Sequence, residues 1–111
     1  MEKYAVLTNK DTFQTVLEND ALELVETYQF YFFDSLKATY TIAKIVDDHA
    51  KITLYEKYDG KDYINKIHVK FFETFPTIEE AREELNEIVK ASGNSEDSQH
   101  SKLVKIENAN V

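Results

Sequence analysis

The sequence predicts an α+β fold: an antiparallel β-meander sheet of four to five strands with two helices packed on one face. Three observations lead there. Residues 28–33 are aromatic except for Gln29, and both period-2 faces are apolar, as in a strand covered on both sides. Between residues 28 and 73, strand-like stretches follow one another with only short turns between them. Residues 78–91 carry an apolar stripe at helical spacing behind a capping signal.

Taken in order, Tyr4-Ala5-Val6-Leu7 predicts a first strand at about 3–8. Asn9 or Asp11 then reads as a helix cap, with Gln14 in capping-box position after Asp11. Phe13, Val16, Leu17, Ala21, Leu24 and Tyr28 recur at helical spacing, which predicts a helix over about 11–26. The alternative is that Asn19-Asp20 ends it and Leu22-Glu23-Leu24 begins a strand. The aromatic stretch is the next strand, closed by the turn signal Asp34-Ser35. Strands over 37–46 and 51–58 follow, separated by Asp47-Asp48-His49.

The next turn offers two registers. A two-residue Asp59-Gly60 turn sets Leu54 opposite Asn65, whereas a four-residue loop over 59–62 sets Leu54 opposite Ile67. Matched apolar pairs favour the second and predict a strand over 63–73. Pro76 ends that strand. Thr77 with Glu80 forms a capping box, and Ile78, Ala81, Leu85, Ile88 and Val89 make the stripe of a helix over 78–91, stopped by Gly93. A polar connector, 92–101, precedes an edge strand at 103–106, and the last five residues are expected to fray.

With 111 residues and 42% hydrophobic content, the chain reads as one domain, 1–111, able to bury a core without staples. It has no cysteine, so disulfides, thiolate metal sites and cysteine nucleophiles are excluded. No apolar run approaches a membrane span and the N-terminus does not read as a signal peptide, so the expected location is cytoplasmic. The net charge of −8 is concentrated toward the two ends, while lysines outnumber acids between 36 and 72. That balance argues against direct nucleic-acid or membrane binding and suits a protein partner with a basic surface. Arg82 is the sole arginine, which argues against a phosphate clamp.

No catalytic constellation emerges. His49, His68 and His100 lie in no local serine or acid motif, and Gly60 and Gly93, the only glycines, cannot build a nucleotide-binding loop. No cofactor or metal is expected; Asp47-Asp48-His49 offers three ligand types, but turns favour aspartate for backbone reasons alone. Two surfaces remain. Tyr55, Lys57, Lys66, His68 and Lys70 share the predicted open sheet face and, with His49, make a candidate ligand or single-strand nucleic-acid site; a solvated face is the plainer reading. Glu79, Glu83 and Glu87 form one i, i+4 row of the predicted helix and Glu80 with Glu84 another, and with Asp47 and Asp48 they are the candidate partner-binding residues. The expectation is a small acidic intracellular protein-binding module without catalysis, in its sharpest form a phage-type inhibitor presenting carboxylates to a nucleic-acid-handling protein. The alternatives are a small enzyme or ligand-binding domain, or a single-strand nucleic-acid binder, at the open sheet face. The sequence leaves the oligomeric state open.

Overall fold

The computed structural model describes residues 2–92 and 101–106. Their elements are β1 (Tyr4–Asn9), β2 (Phe13–Thr15), β3 (Leu22–Phe32), β4 (Ser35–Ile45), β5 (Lys51–Tyr58), β6 (Lys61–His68), a 3-10 turn (Val69–Phe71), α1 (Ile78–Ser92) and β7 (Ser101–Ile106). The strands form two antiparallel sheets, ordered β1-β4-β3-β7 and β2-β5-β6. The predicted single meander with two helices on one face is therefore wrong. Among the described residues there is one α-helix, it covers one face of the larger sheet, and the smaller sheet covers part of the other.

The missing helix is the main correction. Over 11–26 the chain instead makes β2, a connecting segment and the start of β3. The residues read as helix caps serve turns. Lys10 and Phe13 bond reciprocally through their backbones, at 2.8 and 3.1 Å, across Asp11-Thr12. The Asn9 side chain accepts the Thr15 amide at 2.8 Å. Asn19 accepts the Ala21 amide on its side chain (2.9 Å) and reaches the Lys51 carbonyl (3.0 Å), fixing the bend into β3. Phe13 and Leu17 still reach the core, and Ala21 is buried, so the apolar spacing reflected burial and not helical geometry.

The second correction concerns the β5–β6 turn. Tyr58 pairs with Lys61 and Leu54 with Asn65, so the connection is Asp59-Gly60 alone. Both residues have positive φ, 53° and 76°, the geometry an Asp-Gly hairpin turn supplies and a four-residue loop would forgo. Turn chemistry outweighed the matching of apolar pairs because the far end of this hairpin lies beyond the core: Tyr58 and Tyr63 are exposed. Strand β6 also stops at His68, not at 73; Val69 turns into the core and Phe71 is exposed.

Two layers of apolar contact hold the fold. Ala5, Leu7, Leu22, Ala43 and Ile45 of the larger sheet meet Ile52 and Leu54 of the smaller one, together with Val69. On the opposite face Phe30, Ala38 and Tyr40 pack on Leu85, and Tyr4 and Ile42 on Ala81. The expected strand at 28–33 is present within β3 as far as Phe32, with Phe33 in the turn, and that at 103–106 lies within β7; these two strands pair, Thr27 with Ile106 through Phe32 with Ser101. The α1 start is also as expected: the Glu80 amide donates to the Thr77 hydroxyl at 3.1 Å. The Gly93 stop, most of the connector at 92–101 and the fraying tail lie outside the described residues.

Candidate functional site

The apolar stripe of α1 faces the sheet, which fixes where its charged flanks point. One flank is acidic. Phe75, Glu80, Glu83, Glu84 and Glu87 line a shallow groove of about 320 Å³. The chain before the helix runs beside β1, where Tyr4 and Phe75 exchange backbone bonds of 2.8 and 2.7 Å, and this places the Phe75 ring at the groove. Among the described residues no salt bridge involves any of the helix glutamates.

The other predicted members lie elsewhere. Glu79 is exposed but does not line the groove. Asp47 is occupied by its own turn, accepting the His49 amide at 2.9 Å, and Asp48 pairs with Lys3 at 3.4 Å.

The alternative site is split. Tyr55, Lys66 and His68 do share the outer face of the smaller sheet, since Tyr55 pairs with Ile64 and Thr53 with Lys66. A groove of about 350 Å³ opens beside Tyr55, Lys57 and Ile64, bordered by Phe13 and Gln14, but Lys66, His68, Lys70 and His49 do not line it. Lys70 lies past the strand end, its ammonium 5.2 Å from the centre of the Phe71 ring. It shares a cleft of about 130 Å³ with Asp48 and Lys3. His49 stays in the 47–50 turn. Among the described residues no three His, Asp or Glu side chains converge as a metal-holding group.

The most tightly built polar cluster was not foreseen. Glu26 on β3 is 7% exposed. Arg82 of α1 donates to it through Nε at 2.9 Å and through Nη2, Lys105 of β7 approaches at 3.1 Å, and the Tyr28 hydroxyl donates at 2.8 Å. A register shift between Leu24 and Glu26 turns Glu26 onto the helix side of the sheet. The Arg82 hydrogen bonds hold the Glu26 carboxyl down at about 2, against the cost of its burial. The same contact pushes the Arg82 guanidinium up, and burial together with Glu26 raises the Tyr28 phenol. The only arginine therefore fastens the helix to the sheet and is not free to clamp a ligand. A sequence signal existed: a lone arginine beside the apolar stripe of an otherwise acidic helix. The strand pattern gave none, because the register shift is invisible in the sequence.

Among the described residues no helix is long and apolar enough to cross a membrane. Comparison of the chain with protein-family models, with curated proteins and with solved structures gives no match.

Proposed function

We propose that the protein is a non-catalytic, cytoplasmic binding module that offers the glutamates of α1 to a basic surface of a partner protein. The observation that carries this reading is the groove lined by Phe75, Glu80, Glu83, Glu84 and Glu87, which sets four glutamates of one helix flank beside one aromatic residue. Arg82 of the same helix is turned to the opposite flank and spent on Glu26, and the helix's other cation, Lys90, lies in its last turn. The Cβ atoms of glutamates on neighbouring helical turns stand about 5–6 Å apart, a spacing comparable to that of phosphates along a nucleic-acid strand. The partner of best fit is accordingly a protein that handles nucleic acid, blocked by occupation of its basic groove.

The test is capture of partners from a host lysate by the wild-type chain and by the triple variant Glu80→Lys, Glu84→Lys, Glu87→Lys, with circular dichroism confirming that both fold. The wild type should retain a basic protein in a salt-sensitive complex, and the variant should bind it at least about tenfold more weakly. Equal capture by both chains, or no basic partner for the wild type, defeats the reading.

A further inference from the structure

Strand β6 is the outer strand of the smaller sheet, and its pairing with β5 contains no register shift. The Lys57 amide donates to the Thr12 carbonyl and the Val16 amide to the Thr53 carbonyl, each at 3.0 Å, so odd-numbered residues of β5 address the β2 side. Even-numbered residues of β5 therefore bond to β6. The register places Glu56 opposite Tyr63 and Leu54 opposite Asn65, which makes these the mutually bonded pairs. The backbone groups of Asp62, Ile64 and Lys66 consequently point out of the sheet edge. No proline or bulge blunts this edge, and Ile64 on it is 62% exposed.

We propose that β6 pairs antiparallel with β6 of a second copy of this chain, about a twofold axis at Ile64. Ladder geometry requires outward-pointing residues to face outward-pointing residues. In the register centred on Ile64, Ile64 meets its own counterpart and each Asp62 meets the other copy's Lys66. A register centred on Asp62 or Lys66 sets like charges together. One centred on Tyr63 or Asn65 sets a charged residue against Ile64. Only the Ile64-centred register is self-complementary, and that argues for a second copy over an unrelated strand. The pairing joins two three-stranded sheets into one. Because Tyr55 pairs with Ile64 within each chain, it also makes a continuous Tyr55–Ile64–Ile64–Tyr55 strip across the joined face. The acidic helix lies on the far side of the larger sheet from this edge, so the bulk of its negative charge is held away from the junction.

Sedimentation equilibrium over a wide concentration range tests the pairing. The wild type should show a reversible monomer–dimer equilibrium. Ile64→Pro removes an outward amide and leaves the bonded pairs with β5 in place, so it should remain folded and monomeric. Asp62→Lys and Lys66→Asp should each weaken the dimer by about tenfold or more, and the double variant Asp62→Lys/Lys66→Asp should recover most of the loss. Asp62 also faces Lys57 within its own chain, but that clash is present in Asp62→Lys and in the double variant alike and cannot produce a recovery. A wild type that stays monomeric at the highest soluble concentration overturns the proposal. So does a dimer that survives Ile64→Pro, or a double variant as weak as the singles.

Discussion

Replacing Glu26 with glutamine should lower stability at neutral pH by about 2–3 kcal/mol. Breaking a buried ion pair by removing one partner costs about 3–5 kcal/mol when the remaining charge is sealed in. Here the side chains of Arg82 and Lys105 are 43% and 54% exposed, so water takes over part of their solvation and the cost falls below that range. The pH dependence gives a sharper signature. The Glu26 carboxyl is held at about 2, below its ordinary value of 4.5. A depressed acid contributes stability that is complete above the unfolded value and lost as pH falls through the folded one. The wild type should therefore lose this contribution between about pH 4.5 and pH 2, while the glutamine variant has none to lose. Urea titrations of the two chains should show midpoints that converge as the solution is acidified. A gap that stays constant down to about pH 2.5 would show that the carboxylate is not held by its cations.

Phe30→Ala should be more damaging, costing about 3–5 kcal/mol, in the range for a phenylalanine removed from a packed interior. Phe30 is 4% exposed and meets Leu85 of α1, so the cavity opens at the junction of helix and sheet. Phe33→Ala is the matched control. That ring is 54% exposed and lies edge-on to Phe32 at 4.5 Å, and its removal should change stability by less than about 1 kcal/mol. Similar losses from both substitutions, read from the same denaturant titrations, would contradict the burial of Phe30 against the helix and the exposure of Phe33 in the turn after β3.

The contrast between those two rings shows what the sequence disclosed. Aromatic density at 28–33 correctly placed an interior strand, since β3 lies between β4 and β7. It did not show which rings were covered. Phe30 and Phe32 face the helix, whereas Phe33 occupies a turn at φ 52° and is largely exposed. The α1 helix was legible because cap, stripe and acidic face all agreed. The stretch 11–26 misled because Phe13, Val16, Leu17 and Ala21 satisfy helical spacing, while the side-chain hydrogen bonds of Asn9 and Asn19 that decide the matter are long-range or turn-specific. The acidic groove was half legible. The glutamate rows follow from helical geometry, but Phe75 at the groove depends on its bridge to Tyr4. Glu26 was unreadable, because its partners come from residues 82 and 105 and its orientation from a register shift.

The pairing of β3 with β7 also bears on the order in which the chain acquires structure. The β3–β4 and β5–β6 hairpins close locally, whereas Thr27 must wait for Ile106. Contacts this distant carry the largest loop-closure cost and form late. On a ribosome, β3 therefore stands with a bare edge until β7 has been synthesised, and of the two described cations that pair with Glu26, Arg82 precedes Lys105. Strand β7 thus acts as a latch on a nascent sheet whose open edge is prone to association meanwhile. Pulse-labelled hydrogen exchange during refolding should find the β7 amides protected after those of β4, and simultaneous protection would show that the latch closes with the rest.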